Sequence, residues 1–95
     1  MRFKDKDIER FWDDPVRQRP RQVPPNVVKQ LYRKLQILDA AHELMDLRVP
    51  PGNRLEALRG DRAGQYSIRV NDQWRLCFIW TKEGPEEVEF CDYHS

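Results

Sequence analysis

The sequence predicts an α+β fold, two N-terminal helices packed on a small antiparallel β-sheet, and three observations carry that expectation. Apolar residues recur at helical spacing through the first half, as in Ile8, Phe11 and Trp12 and again in Val28, Leu31, Leu35, Leu38 and Met45. In the second half they alternate, as in Tyr66, Ile68 and Val70 and then Trp74, Leu76, Phe78 and Trp80. Between the halves, Val49-Pro50-Pro51-Gly52-Asn53 stops any helix. The 95 residues suffice for a single domain over 1–95 with one modest core.

Each element follows from local chemistry. Arg2-Phe3 reads as a short edge strand, and Asp5 as the N-cap of a short helix that Asp14-Pro15 ends, because the residue before proline is pushed out of the helical region. Val16 to Pro25 carries Arg17, Arg19 and Arg21, repeated prolines and no acid, which reads as an extended basic connector. Asn26 is the expected N-cap of the longest helix, Val27 to Leu47, with His42 on its apolar stripe as a packed core or boundary residue. Leu55 to Leu58 reads as a short extended piece, and Arg59 to Gly64 as a glycine-hinged basic loop. Gln65 to Val70 and Gln73 to Trp80 form a hairpin about a two-residue Asn71-Asp72 turn, which would pair Ile68 with Arg75 and Arg69 with Trp74. Lys82 to Glu87 reads as a turn and Val88 to Asp92 as the last strand.

Composition excludes several classes. No apolar run approaches the roughly 20 residues of a membrane span, and Met1-Arg2-Phe3-Lys4-Asp5-Lys6-Asp7 is too charged for a signal peptide. A soluble, cytoplasmic protein is expected. Cys77 and Cys91 sit in apolar runs and read as small buried hydrophobes in a reducing compartment, with a disulfide between them as the less favoured alternative. Cys91 and His94 would supply at most two zinc ligands, so neither a metal nor another cofactor is expected.

The net charge of +1 hides a segregation. Residues 1–35 hold ten Lys/Arg against five Asp/Glu, whereas residues 83–95 hold five acids and no Lys/Arg. Such a block structure is a polyanion footprint. On the long helix Lys29, Arg33 and Lys34 lie early and Asp39, Glu43 and Asp46 late, against the macrodipole's preference. Binding an anionic surface with the first turns of this helix is one demand that would account for that order; contacts elsewhere in the domain are the other.

The chemistry gathers at Asp92-Tyr93-His94, a carboxylate, a phenol and an imidazole delivered by the last strand to the rim of the sheet. Imidazole is the side chain that gains and loses a proton most readily near neutrality, so the triplet is a candidate proton-transfer site.

The stretch from Asn53 to Phe78, with its Leu55-Glu56-Ala57-Leu58-Arg59-Gly60-Asp61-Arg62 loop and Trp74-Arg75 hairpin, together with Asp92-Tyr93-His94, resembles the HigB toxins of bacterial toxin–antitoxin systems, within the wider RelE/ParE group. The resemblance implies a RelE-like fold and a ribosome-dependent endoribonuclease that cuts messenger RNA in the decoding site without a metal. It implies as partners the ribosome, mRNA and a HigA-like helix-turn-helix antitoxin, with no membrane, and with DNA reached only through that antitoxin.

Carried residue by residue, the resemblance implies His94 as the proton-transfer group. Tyr93 would orient or stack on a nucleotide or donate to phosphate, Asp92 would fix His94 or bind ribose, and Arg75 would stabilise phosphoryl charge. Arg59 and Arg69 would approach RNA, and Arg62, Gln73, Arg17, Arg19, Arg21, Lys29 and Arg33 complete the candidate RNA- and ribosome-binding set. Where a relative has a loop histidine this chain has Glu56, either a base with an unperturbed pKa of about 4.3 or an organiser of Arg59 and Arg75. The alternative function is a non-enzymatic module on the same scaffold, gyrase-inhibitor-like or a regulatory partner.

Overall fold

The computed structural model describes residues 1–92. Helix α1, Lys6–Asp13, is capped by Asp5, whose carboxylate accepts from the backbone N–H of Asp7 at 3.1 Å and of Ile8 at 3.3 Å. Its amphipathic spacing buries Ile8 and Phe11, and Phe11 and Trp12 pack on Tyr32 of the next helix with ring centroids 5.7 and 5.6 Å away. Asp14 ends the helix as expected.

The basic connector is folded back rather than left as a free linker. The Asp7 carboxylate accepts from the backbone N–H of Arg21 at 2.8 Å and Gln22 at 3.3 Å, the Gln22 amide reaches Asp5 at 3.0 Å, and Pro20 and Val23 are buried. Arg17, Arg19 and Arg21 remain exposed.

Helix α2 spans Val28–Ala40 and buries Leu31, Leu35 and Leu38. Its two ends correct the sequence expectation. A 3-10 turn at Pro25–Val27 leads into it, and Asn26 makes no cap. At the other end the Asp46 carboxylate accepts from the N–H groups of His42 and Glu43, both at 2.9 Å, and caps a separate 3-10 turn, Leu44–Arg48. A carboxylate that satisfies these donors offers the chain an alternative to continuing the helix. Leu47 stays in the core, while His42 and Met45, expected on the buried stripe, are exposed. The same geometry explains two of the charges that seemed to oppose the macrodipole, since Glu43 and Asp46 begin the next element rather than end this one.

The sheet is an antiparallel meander of β1 (Glu56–Ala57), β2 (Tyr66–Arg69), β3 (Trp74–Thr81) and β4 (Gly84–Asp92), in that order. The α+β expectation holds, with further helical turns at Leu44–Arg48, Pro51–Asn53 and Gly60–Arg62 between the two helices and β2. The β2–β3 register differs from expectation by one residue: Ile68 faces Leu76 and Arg69 faces Arg75. The Asn71 side chain accepts from the N–H groups of Gln73 at 2.9 Å and Trp74 at 2.8 Å, which widens the turn. The tighter turn would have set Arg75 opposite a core isoleucine, and a one-residue slip exchanges the two faces of a strand. The second turn is shorter than expected, because β4 begins at Gly84, where φ is 98°.

Ile68, Leu76, Phe78, Val88 and Phe90 join the helical leucines in one hydrophobic cluster, so the helices cover one face of the sheet. Phe3 forms a parallel bridge with Val88. There Arg2 and Val88 exchange backbone bonds with the neighbouring segment (Arg2 N–H to Pro85 at 3.1 Å, Val88 N–H to Arg2 at 3.0 Å), covering the outer edge of β4. Among the described residues no helix is long and apolar enough to cross a membrane.

Candidate active site

The face of the sheet turned away from the helices carries the polar chemistry. Strand pairing sets Glu56 opposite Ser67, Ser67 opposite Cys77, Arg69 opposite Arg75, Cys77 opposite Glu89 and Arg75 opposite Cys91. Of these, Glu56, Ser67, Arg75, Cys77 and Cys91 form the floor of a cleft that Leu58 and Arg62 also line.

Arg75 is the centre of this floor, only 6% exposed. Its Nε donates to the Ser67 hydroxyl at 2.7 Å, and one terminal nitrogen donates to the backbone carbonyl of Arg54. These bonds fix the plane of the guanidinium, which matters because its value as an anion binder lies in a preset fork. Arg54 is held in turn by its neighbour Asn53, which is fully buried. The Asn53 amide donates to the carbonyls of Leu47 at 3.1 Å and Val49 at 3.2 Å, and its oxygen accepts from Lys34 Nζ at 2.6 Å. Burial, with Arg69 and Arg33 nearby, holds the Lys34 pKa below the usual lysine value.

Two cavities meet at Arg75 and Glu56. One, of about 240 Å³, is lined by Glu56, Leu58, Arg62, Ser67, Arg75, Cys77, Cys91 and Asp92. The other, of about 190 Å³, is lined by Arg54, Glu56, Arg69, Asn71, Asp72 and Arg75. A shallower depression along Glu56 to Arg59 adjoins them. The arrangement is an open groove on both sides of one buried cation, with an exposed carboxylate on its edge strand.

Several of the neighbouring charges are paired. Arg62 pairs with Glu89 at 2.7 Å and donates to Gln65 at 3.1 Å, while Lys4 reaches Glu89 at 3.3 Å. Burial pushes the Glu89 carboxyl up, but the hydrogen bonds from Cys91, Arg62 and Lys4 outweigh it and hold the pKa below the usual value. The Glu89 hydrogen bond likewise raises the Arg62 pKa. Arg69 pairs with Asp72, and Gln73 donates to Asp92 at 3.4 Å.

Of the sequence candidates, Arg75, Glu56, Arg62, Arg69 and Asp92 thus line one groove, with Arg59 beside it. Asp92 sits at its rim, opposite Trp74, and alternation puts Cys91 rather than Asp92 on the Arg75 face. Tyr93 and His94 lie outside the described residues. Arg17, Arg19, Arg21, Lys29 and Arg33 are exposed and line none of these cavities.

Ser67, Asn53, Arg54 and the two cysteines were not singled out from sequence as site residues. Alternation along β2, β3 and β4 does carry the signal for Ser67, Cys77 and Cys91, once the register is known. Asn53 gave none, because a buried asparagine in a Pro-Gly-Asn turn reads like any loop residue.

Residues 1–94 match the model of a family described as the RelE-like toxin of type II toxin–antitoxin system HigB. The chain is 51% identical to Toxin HigB-1 of Vibrio cholerae serotype O1, over all of this chain and 97% of that protein. It is also 33% identical to Endoribonuclease HigB of Proteus vulgaris, over 76% of this chain and 77% of that one. The chain therefore belongs to the HigB-like family, the RelE-like toxins of type II toxin–antitoxin systems.

Proposed function

We propose that this toxin is a ribosome-dependent endoribonuclease that cuts mRNA in the decoding site and is neutralised by a HigA-like helix-turn-helix antitoxin. The name of the Proteus vulgaris relative supports the activity, and the observation that carries it is the buried Arg75 fork between two open cavities. An RNA strand laid along the groove would set one phosphate over Arg75, with the flanking nucleotides in the cavities on either side.

The reaction is attack of a ribose 2′-oxygen on the adjacent phosphorus, which leaves a cyclic phosphate and a free 5′-hydroxyl. It needs a base for the 2′-hydroxyl, an acid for the leaving oxygen and positive charge for the phosphoryl oxygens. Arg75 supplies the charge, already oriented by Ser67 and Arg54. His94 moves the proton, with Asp92 fixing it and Tyr93 orienting a nucleotide or donating to phosphate. Glu56 either acts as a base or organises Arg59 and Arg75. Those roles require no metal ion. Arg59, Arg62, Arg69 and Gln73 bind the RNA backbone near the groove, and Arg17, Arg19, Arg21, Lys29 and Arg33 bind ribosomal RNA outside it. The site of action is the cytoplasm.

The test is mapping of mRNA 5′ ends after induction, comparing the natural chain with His94→Ala. Clustered in-frame cuts that fall by about 100-fold or more in the variant, in line with the usual worth of a general acid or base, are expected. Intact messages together with a DNA-damage response would overturn this reading in favour of a gyrase-directed binder.

A further inference from the structure

We propose that Cys77 and Cys91 form an oxidation site in the floor of the groove, a dithiol that a peroxide converts to a reversible disulfide, switching the toxin off. The effect on activity rests on the nuclease reading, whereas the dithiol itself does not.

The geometry singles out this pair. Cys77 lies opposite Glu89, and Cys91 lies opposite Arg75, so the two thiols are diagonal neighbours on one face of adjacent strands. Both line the same cavity of about 240 Å³, which is large enough to admit a peroxide. Neither is bridged, and Cys77 is buried while Cys91 is partly open.

The surroundings divide the labour between them. The Cys91 thiol donates to the Glu89 carboxylate at 3.1 Å, on the same face of the sheet as Cys77. The neighbouring Cys91 thiol, helped by the Arg62 and Arg75 charges against the cost of burial, holds the Cys77 pKa below the usual thiol value. The bond to Cys77, burial and the Glu89 carboxylate all push Cys91 the other way. Cys77, which shares the cavity with the Arg62 and Arg75 charges, is assigned the attacking sulfur, and Cys91, bonded to Glu89 and nearer solvent, the resolving one. A thiolate beside cations in a cleft is the environment in which cysteines react.

The steps balance. The Cys77 thiolate attacks one oxygen of hydrogen peroxide, an S–O bond forms as the O–O bond breaks, and the departing hydroxide takes a proton to leave as water. Cys91 sulfur then attacks the Cys77 sulfenic acid, and the S–O bond breaks as the S–S bond forms. The hydroxyl leaves as a second water with the Cys91 proton. Two thiols are oxidised and one peroxide is reduced.

Diagonal positions on a sheet are usually about 7–8 Å apart at Cα, and a disulfide spans no more than about 6.8 Å, so the strands must draw together. The irregular register between Cys77 and Ile79 supplies slack on that side. A disulfide closed under such tension is reduced easily, which suits a switch rather than a staple. Its closure would shift Arg75, which is directly opposite Cys91.

The experiment treats the purified full-length toxin with hydrogen peroxide, follows intact mass and peptide maps, and assays RNA cleavage on ribosomes before and after dithiothreitol. Expected is a loss of two hydrogens mapped to a Cys77–Cys91 cross-link, at least a tenfold fall in cleavage, and recovery of both on reduction. Cys91→Ser, compared with its own untreated form, should instead stop at a sulfenic acid on Cys77 that traps a dimedone probe. Two thiols still alkylated after treatment, a bridge between molecules, or an intramolecular bridge that leaves cleavage unchanged would overturn the proposal. If the reduced toxin cuts no RNA, the nuclease reading fails while the mass measurement still decides the dithiol.

Discussion

Truncating Asn53 to alanine should be among the most damaging single changes outside the apolar core. The side chain is fully buried and makes three hydrogen bonds, to the Leu47 and Val49 carbonyls and from Lys34. Losing the two neutral bonds costs about 1 kcal/mol each, and losing the one to a charged donor about 2. Water reaches the Val49 and Lys34 side of the site, since those bonds are only partly buried. The net loss should therefore be about 3 kcal/mol, a drop of roughly 12–24 °C in Tm for a chain of this size. Urea unfolding followed by far-UV circular dichroism measures it directly. Asn53→Asp should be no better, because a carboxylate keeps the lysine but turns acceptors toward two carbonyls. Lys34→Met should cost only about 1 kcal/mol, since burial already disfavours its charge. A loss below 1 kcal/mol for Asn53→Ala would refute the idea that this residue pins the turn holding Arg54 under Arg75.

Two further outcomes concern charge and capping. The Glu89 carboxyl has a lower pKa folded than unfolded, so its stabilising contribution is complete above the ordinary glutamate range and is lost as the pH falls through the lower, folded value. Glu89→Gln should therefore cost stability at pH 7, and urea midpoints of variant and natural chain should draw together as the pH falls below the ordinary glutamate range; a gap independent of pH would contradict the assignment. Asp5→Ala removes both the α1 cap and the anchor of Gln22, which should cost about 1 kcal/mol and speed tryptic cleavage after Arg17 and Arg21.

The readable parts of this fold are those set by short-range chemistry. Asp5 and Asp14 bound α1 because a cap and a proline act within a few residues. The alternation of Tyr66 to Trp80 survives in β2 and β3 as a division of faces, with Ile68, Leu76 and Phe78 in the hydrophobic cluster and Ser67, Arg75 and Cys77 on the groove. Where a side chain competes with the backbone, the sequence pattern misled. Leu44 and Leu47 continue a helical period past Ala40, yet Asp46 had already claimed the donors that a continuing helix would use. Asn71 likewise shifted the hairpin by one residue, which changes the partner of Arg75. The groove was half legible: Arg75, Glu56 and Asp92 carry recognisable chemistry, whereas Ser67 and Asn53 matter only through contacts that join distant parts of the chain.

The bridge between Phe3 and Val88 has a consequence for how the toxin comes into being. Its first strand-like segment has no partner until β4 is in place, so this pairing joins residues from near the two ends of the described chain and carries the loop-closure cost of a long-range contact. The outer edge of the sheet that carries Arg75 is therefore sealed late in folding rather than by a local hairpin.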